Sequence, residues 1–450
     1  MLGKQNGNHR DQVTMISLDA LVPKNHLLRK IDAVMDFEYI YNLVQDLYVV
    51  DNGRPSIDPV VIIKIAIIKY LFGIRSIRQT FKEIETNVAY RWFLNIGLEE
   101  PLPHFSTFGK NYVKRFGETE VFTQIFNRIL YQACDAGYVN PEEVFIDGSH
   151  IKASANKNKR MKVIVKQEGR IFTEALEAEI NAQREAEGLA PIKKKEENNP
   201  KEKILTKSPV DPDAGMFYKD HFNRMFCYSV NTACDRNGFV LGMHLSSGNI
   251  HDSVNFDPLL TDVTRRFPEI KAIVADAGYI TPHIAKTCLD RGIRPMLPYK
   301  RPMTGKGLFR RHEYVYDEHY DEYLCPANER LHLTGIRKDG YRYYVSDPKV
   351  CEHCKHLSQC TRSSNHQKVI TRHVWRSALE EAEHLRHSRY NRELYSLRKE
   401  TVERVFADMK EKHGLRYTHY RGLGKVHSEV MLTFACMNLK KLATWQWQGA

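Results

Sequence analysis

Two aspartates end short apolar runs, where their carboxylates could bind a metal ion. Asp147 closes the run 144–147, and Asp276 closes the run 272–276. Each run has the length and composition of a buried strand. A carboxylate in such a position costs free energy unless it is paired, hydrogen-bonded or bound to metal. Because oxygen ligands suit Mg²⁺, the two acids predict a divalent-cation site at the edge where the strands end.

The chemistry such a site performs is phosphodiester exchange. Two divalent ions about 3.5–4 Å apart can hold the attacking and leaving oxygens of a phosphodiester. A third acid from a helix would complete the ligand set. For either aspartate alone a strand-end cap is the commoner explanation, but the two together in a basic chain favour the metal.

The elements that must position these acids form an α/β pattern. The strand at 144–147 is followed by a hairpin, because Arg236-Asn237-Gly238 joins two β-rich runs at 225–235 and 239–246. A strand at 272–276, a helix at 282–291 and a strand at 294–297 follow. This order predicts a sheet of mixed direction with helices on its faces.

Residues 1–136 are predicted to form an all-α N-terminal domain. Pro59 begins a strongly apolar helix, and Ser76 and Ser106 are expected N-caps. The segment 75–116 fits a helix-turn-helix and a plain helical bundle equally well, so both remain open.

Two long segments interrupt the α/β pattern. Residues 155–215 are rich in Lys and Glu and predict a flexible, solvated insertion with one helix near 173–187. Residues 301–385 contain a cysteine cluster and little hydrophobic periodicity. After Ser388 one long helix is expected to continue through Lys412.

Charge and composition narrow the function classes. The 450 residues carry a formal net charge of +12, and 42% are hydrophobic. The charge is spread over folded-looking segments, which favours nucleic acid over a membrane surface as the partner. No apolar run is long enough to span a bilayer, and nine scattered cysteines indicate reduced thiols, so we expect a cytoplasmic protein without a membrane partner.

The segment 398–410 carries a Glu403…Phe406…Lys410 spacing on a helix whose apolar stripe is Val402, Val405, Phe406 and Met409. It resembles the third-acid helix of bacterial insertion-sequence transposases of the DDE class. Further segments resemble the same family: Arg54–Pro59, Tyr90–Leu94, the Asp147-Gly148-Ser149 motif with Lys152-Ala153, the Asp276-Ala277-Gly278-Tyr279 motif, Tyr420–Leu423 and Ala435–Lys440.

This resemblance covers nearly the whole chain and implies a fold and an activity. The implied fold is α/β, with a ribonuclease H-like mixed sheet flanked by helices at 140–300 and 386–450. An all-α domain would precede the sheet, and a Cys-rich insertion would come before the last catalytic helix. The implied protein is a transposase that binds terminal inverted repeats and then cleaves and transfers DNA strands.

The resemblance also implies site residues and partners. Asp147, Asp276 and Glu403 would be the catalytic, metal-binding acids, with Mg²⁺ or Mn²⁺ as the cofactor. Tyr395, Arg398 and Lys410 would contact DNA. The partners would be double-stranded DNA, at the element ends and at the target, and a second copy of the chain when two ends are synapsed.

The C-terminal motif departs from the family pattern in one respect. Tyr395 and Arg398 have the family's mutual spacing, but Glu403 lies one residue further on than that spacing predicts. Glu400, one turn earlier on nearly the same helix face, is the alternative third acid. The spacing of Val402, Phe406 and Lys410 around Glu403 matches the family motif and favours Glu403 as the third acid.

A second metal site is suggested by four cysteines. Cys351 and Cys354 have a zinc-knuckle spacing, and Cys325 and Cys360 could complete a tetrahedral Zn²⁺ site. His353 and His356 are substitute ligands, and free thiols in an irregular loop are the alternative.

Two further acids and two further functions remain as alternatives. Asp235 beside the hairpin turn and Asp252 before a helix are both interpreted as structural. The other functions are an inactive DNA-binding protein derived from a transposase and a nuclease acting on RNA hybrids. No phosphate-cradling Gly-rich loop is present, so no nucleotide cofactor is expected.

Overall fold

The structure is a computed structural model of the chain. It describes residues 12–48, 56–117, 119–166, 173–186, 188, 190–191, 202–218, 220, 223–300, 303–337 and 339–447.

Within the described part of 12–136, every regular element is helical. The α-helices are α1 (Leu18–Leu21), α2 (Leu27–Val34), α3 (Tyr39–Val44), α4 (Pro59–Leu71), α5 (Ile77–Thr86), α6 (Val88–Leu94), α7 (Phe105–Lys110) and α8 (Val121–Asp135). A 3₁₀ turn at Gln45–Leu47 and a π-helix at Asn111–Phe116 accompany them.

Several of these helices are capped by side chains at their first turn. Helix α4 begins at Pro59, and the Asp58 carboxylate accepts a hydrogen bond from the Val60 N–H. Ser76 caps α5 as predicted, because its hydroxyl accepts from the Gln79 N–H. The predicted cap at Ser106 is wrong: the His104 ring accepts from the Ser106 N–H, so the helix begins one residue before Ser106.

The α/β part contains an eight-stranded mixed sheet. Its strands are β1 (Glu143–Lys152), β2 (Met161–Lys166), β3 (Glu202–Lys207), β4 (Gly215–Tyr218), β5 (Arg224–Cys234), β6 (Val240–Ser247), β7 (Ala272–Ala275) and β8 (Arg294–Met296). The order is β2-β3-β4-β5-β1-β7-β8, and β6 also pairs with β5. Strand β1 is antiparallel to β5 and parallel to β7, which is parallel to β8. This confirms the predicted α/β class.

The hairpin signal is confirmed. Strands β5 and β6 pair antiparallel around the predicted turn, where Gly238 has a φ of +74°. The Asp235 carboxylate accepts hydrogen bonds from the N–H groups of Phe239 and Asn140, so this aspartate serves the turn.

The interpretation of 155–215 as a flexible, solvated insertion is wrong for much of the segment. The helix is present as α9 (Thr173–Ala186), but β2 and β3 pair with each other and extend the sheet through β4. The physical reason is that the unpaired backbone groups at the sheet edge can hydrogen-bond to these charged segments, and residue charge alone does not predict such pairing.

The region after β8 contains a second sheet that the sequence did not predict. Its antiparallel strands are β9 (Val315–Asp317), β10 (Glu322–Leu324), β11 (Arg330–Ile336), β12 (Tyr341–Ser346) and β13 (Val369–His373). The short helices α12 (Pro348–Glu352) and α13 (Leu357–Cys360) lie between the last two strands. Tyrosines dominate its small core, so the apolar periodicity is weak.

The remaining helices are α10 (Asp252–Arg266) and α11 (Pro282–Asp290) beside the first sheet, then α14 (Arg376–Leu385), α15 (Arg389–Ser396), α16 (Val402–Glu411) and α17 (Leu423–Gln446). The expected single helix from 388 to 412 is therefore wrong. It is broken by a 3₁₀ turn at Leu397–Lys399 and by Thr401, whose φ and ψ are −107° and −98°. The break turns Arg398 toward the sheet.

Helix α17 joins the helical and α/β parts into one structure. It packs against α2, α4 and α8 of the N-terminal helices and against β6 of the sheet. The Asn438 amide both donates to and accepts from the backbone of Val240 on β6. One hydrophobic core accordingly extends from Val22 to Ala443.

All nine cysteines are free thiols, which agrees with the expectation from their number and scatter. Among the residues that the structure describes, no helix combines the length and apolar character needed to cross a membrane.

Candidate active site

The two predicted aspartates lie side by side, but the prediction that Asp147 ends its strand is wrong. Strand β1 continues to Lys152, because Asp147 and the residues after it pair with β5, and only Asp276 follows the end of its strand. Strands β1 and β7 are parallel, and Phe145 is opposite Val274 while Ile146 is opposite Ala275. The next step of this register brings Asp147 level with Asp276, on strands about 4.8 Å apart. The Asp276 carboxylate also accepts a hydrogen bond from the Gly278 N–H at 2.8 Å, which orients it at the start of a 3₁₀ turn.

A buried arginine neutralises Asp147. The Nη2 of Arg398 donates to Oδ2 of Asp147 at 2.7 Å, and the two side chains are 10% and 18% exposed. The Nη1 of Arg398 lies 3.4 Å from the Tyr395 hydroxyl. The Nε of Arg398 is buried without a partner. The guanidinium therefore lies against the carboxylates and retains unused hydrogen-bonding capacity.

The protonation of Asp147 reflects this crowding. Burial raises the pKa of Asp147 from its ordinary 3.8 to about 6. The Arg398 cation and the Gly148 N–H lower the pKa, while the negative charges of Asp276 and Asp252 raise it further. The carboxylates of Asp147, Asp276 and Asp252 thus interact electrostatically with one another.

Asp252 lies near Asp147, although the sequence analysis interpreted this acid as structural and did not assign it to the site. The prediction that Asp252 caps the following helix is wrong, because the observed N-cap is His251, whose ring accepts a hydrogen bond from the Ser253 N–H. Its carboxylate lies over the backbone beside Asp147, since a Cβ added to Gly148 would lie 2.5 Å from its Oδ1. The glycine after Asp147 leaves the space that this carboxylate occupies.

A chain of buried hydrogen bonds supports Asp252. The Tyr279 hydroxyl donates to Oδ1 of Asn231. The Asn231 amide donates to the Ser229 hydroxyl at 3.2 Å, and that hydroxyl lies 3.4 Å from Oδ1 of Asp252. The sequence offered one indication of these hydrogen bonds, because Ser229 and Asn231 are polar residues on one face of an otherwise apolar strand.

Glu403 lies on the helix that packs against β1. The predicted stripe is confirmed, because Val402, Val405, Phe406 and Met409 are the buried residues of α16. Glu403 is exposed in the first turn of this helix. In the described part of the chain, no group of three His, Cys, Asp or Glu side chains is arranged to hold a metal ion. Asp147, Asp276 and Asp252 therefore lie near one another without forming a closed ligand set, and Glu403 does not complete one.

Lys410 lies within electrostatic range of Asp147. Burial lowers the pKa of Lys410, and so does the Arg416 cation, while Glu411 and Asp147 oppose that shift. Its half-buried ammonium is therefore placed near the carboxylates and not out in bulk solvent.

The structure does not support the predicted zinc site. The sulfur of Cys325 accepts from the Glu329 N–H and that of Cys354 from the His356 N–H, each at 3.4 Å. Cys351 donates to the Ser346 hydroxyl, and Cys360 lies 3.2 Å from the Tyr314 hydroxyl. Each sulfur thus has a separate protein partner, and the four form no ligand group among the described residues.

Comparison with known proteins gives the class of the chain. Residues 16–114 match a family model described as a transposase domain of the DUF772 type, and residues 324–443 match a transposase DDE domain. These matches support the assignment of the chain to the insertion-sequence DDE transposases.

The second match contains Glu403, Arg398, Tyr395, Lys410 and the four clustered cysteines, whereas Asp147 and Asp276 lie between the two matched segments. No curated protein and no solved structure matches the chain.

Proposed function

We propose that this protein binds the terminal inverted repeats of an insertion sequence and catalyses metal-dependent cleavage and transfer of DNA strands. Two copies would act together when the two ends are synapsed. The observation that carries the proposal is the placement of Asp147 level with Asp276 on adjacent parallel strands, in a chain with two transposase matches.

The sheet order supports a ribonuclease H-like catalytic core. Strand β1 lies at the centre, with the antiparallel hairpin β5–β6 on one side and the parallel strands β7 and β8 on the other. This arrangement holds the first two acids on neighbouring strands and leaves the third to a helix packed nearby.

The donor set fits a hard divalent cation. Asp147 and Asp276 would hold Mg²⁺ or Mn²⁺, with Glu403 as the third acid, because carboxylate oxygens are the preferred ligands of these ions. When bound, such ions polarise the phosphodiester and lower the pKa of an attacking water or 3′-hydroxyl. The crowding of Asp147, Asp276 and Asp252 favours binding of a cation, since each carboxylate raises the cost of leaving the others ionised.

Arg398 and Lys410 would respond to DNA phosphates. Arg398 now neutralises Asp147, and a phosphate offers its guanidinium a second anionic partner. Its unpartnered Nε provides a donor for that contact. Lys410, near the same carboxylates, would contact a neighbouring phosphate as a point charge.

The N-terminal helices would hold the DNA ends. Helix α5 packs on α7, and exposed cations occur on both helices and on the π-helix that follows: Arg75, Arg78, Lys82, Lys110 and Lys114. Each phosphate contact contributes about −0.9 to the slope of log affinity against log salt concentration. A steep salt dependence is therefore expected, and a flat one would contradict this assignment.

A Mg²⁺-dependent nicking assay on DNA that carries the element end tests the proposal. Asp147→Asn, Asp276→Asn and Glu403→Gln should each lower cleavage by more than about a hundred-fold, because even an outer-shell partner of a metal contributes 10–100-fold. Binding of the same DNA should persist in all three variants.

Two controls make the test specific. Glu400→Gln changes the alternative third acid and should leave cleavage intact, as should Asp290→Asn at the exposed end of α11. Full cleavage by the Asp276→Asn protein would overturn the proposed mechanism. Full cleavage by Glu403→Gln with loss in Glu400→Gln would transfer the third role to Glu400.

A further inference from the structure

A basic segment lies along the strand that carries the first acid. This segment, 412–422, connects α16 to α17, and we call it the strap. The Lys152 N–H donates to the Arg416 carbonyl at 3.2 Å, and the Thr418 N–H donates to the Lys152 carbonyl at 3.0 Å. The strap therefore runs parallel to β1, on the edge that faces away from β5 and that β7 occupies further back.

Buried groups fix the strap from beneath. Thr418 is fully buried, and its hydroxyl donates to the carboxylate of Glu429, which also pairs with Lys69 of α4. The Gly422 N–H donates to the buried carboxylate of Asp211 at 3.1 Å. These two acids lie on the inner side of the strap, so its backbone is held in place while its outer side chains remain available to a partner.

The outer side is strongly basic. Exposed basic and aromatic side chains form a continuous area that we call the β1–strap surface: Lys152, Arg416, Tyr417, His419, Arg421 and Lys425. The sequence 148–166 contains six cations and no carboxylate, and 412–428 contains four cations and no carboxylate. Arg416 pairs with Glu411, whereas Lys152, Arg421 and Lys425 lie within the stretches that lack acids. Such a surface attracts a polyanion.

A second contact extends this surface along the chain that follows β1. The Nε of Arg421 donates to the Ser154 carbonyl at 3.2 Å. The exposed cations Lys157, Lys159 and Arg160 come directly after this contact. The strap and the β1–β2 connection therefore present their positive charges on one side of the molecule.

The spacing relates this surface to the acids. Lys152 follows Asp147 by five residues of one strand, or about 16 Å at 3.3 Å per residue. That length corresponds to about five base pairs of duplex DNA. Lys410 lies between them, since its ammonium interacts electrostatically with both Asp147 and Arg416. A duplex with one phosphodiester at the acids can therefore place further phosphates on the β1–strap surface.

The side chains of this surface select the kind of DNA. Lysine, arginine and tyrosine bind phosphate oxygens, and such contacts carry no base information. An element end is one fixed sequence that the enzyme must distinguish from all others. Target DNA differs from one insertion to the next, so a surface of cations and a tyrosine suits the target.

We propose that the β1–strap surface captures the target DNA duplex by its backbone phosphates and aligns it for attack at Asp147 and Asp276. The proposal rests on the proposed function, because the captured duplex is the second substrate of that reaction. It separates the two DNA substrates in space, with the element ends on the N-terminal helices and the target on β1 and the strap.

The test compares three reactions of a triple variant, Lys152→Gln, Arg421→Gln and Lys425→Gln. These are nicking of DNA that carries the element end, transfer of a pre-cleaved end into a plasmid without such ends, and binding of a random-sequence duplex to the protein–end complex. Transfer should fall by at least about ten-fold, and nicking should stay within about two-fold of wild type. The slope of log affinity for the random duplex against log salt concentration should flatten by about 2–3, since each phosphate contact contributes about 0.9.

Two further variants make the result specific. Arg265→Gln, Lys271→Gln and Lys349→Gln together remove the same charge from exposed positions on α10, on α12 and at the opposite end of the first sheet, and should leave transfer intact. Lys152→Arg, Arg421→Lys and Lys425→Arg together keep the charge and should restore transfer. All three proteins should have the thermal midpoint of the wild type, because the changed side chains are exposed.

The outcomes separate the two proposals. If the triple glutamine variant transfers ends as well as wild type, the target surface is refuted while the transposase function stands. If nicking falls as far as transfer, the surface holds the element end and the target assignment fails. If wild-type protein neither nicks nor transfers end-containing DNA, both proposals fail.

Discussion

Asp147→Asn should make the metal-free protein more stable at neutral pH. Burial and neighbouring acids raise the pKa of Asp147 from 3.8 to about 6 despite the pairing with Arg398. Each pKa unit corresponds to about 1.4 kcal/mol, so the ionised Asp147 costs the folded state about 3 kcal/mol. The asparagine resembles the protonated acid in shape, and residual solvation of the side chain reduces the expected gain to about 1–3 kcal/mol.

The pH dependence gives the sign of this effect. An acid whose pKa is raised by folding destabilises the fold progressively as pH rises from the unfolded value to the folded one. Wild type and variant should therefore be equally stable below pH 3.8, and the advantage of the variant should grow until about pH 6 and then level off.

The assay is urea unfolding in EDTA, followed by tryptophan fluorescence, at a series of pH values. Asp290→Asn, which changes an exposed acid at the end of α11 that pairs with Lys286, is the control and should shift the free energy of unfolding by less than about 0.5 kcal/mol. An Asp147→Asn protein less stable than the wild type at pH 7.5 would refute the reasoning. It would show that the ion pair between Asp147 and Arg398 stabilises the fold by more than burial of the Asp147 carboxylate destabilises it.

Three further outcomes are expected. Added Mn²⁺ should stabilise the wild type by about 2.7 kcal/mol at a hundred times its dissociation constant, and the Asp147→Asn protein much less; equal stabilisation would exclude this acid as a ligand. Arg398→Gln should raise the pKa of Asp147, and Asp252→Asn should lower it. Each shift is measured from the pH dependence of the difference in unfolding free energy between the single variant and the same variant combined with Asp147→Asn. Two shifts in the same direction would contradict the proposed interactions of Asp147 with these two residues. Lys69→Ala should cost about 3–5 kcal/mol in urea unfolding, because it leaves the buried Glu429 carboxylate, 3.7 Å away, without its cation; a loss under about 1 kcal/mol would show that water reaches this pair.

Predictions from the sequence were correct where the cause is local. The Asn237-Gly238 turn, the start of α4 at Pro59 and the buried stripe of α16 depend on a few neighbouring residues, and the structure contains all three. Asp276 follows the end of β7 as its apolar run predicts, whereas Asp147 lies in the middle of β1, because pairing with β5 extends that strand to Lys152. The predicted role of Glu403 comes from its motif and is still a prediction.

Predictions from the sequence failed where contacts between residues far apart in the chain determine the local structure. The second sheet gains its order from strand pairing and a small core of tyrosines, neither of which leaves a clear period in the sequence. The break between α15 and α16 was missed because helix propensity alone favours continuity, whereas the break allows Arg398 to pair with an acid 251 positions away.

By itself, the sequence determined the β5–β6 turn, the start of α4 and the buried face of α16, and its motifs pointed to the transposase family, because these features depend on residue type and short-range spacing. Only the tertiary structure decided that Asp252 lies over Gly148 beside Asp147, that Arg398 neutralises the site, and that the strap lies beside Lys152 on the strand that carries Asp147. These contacts join elements far apart in the chain, so they follow from strand register and packing, which no short segment encodes.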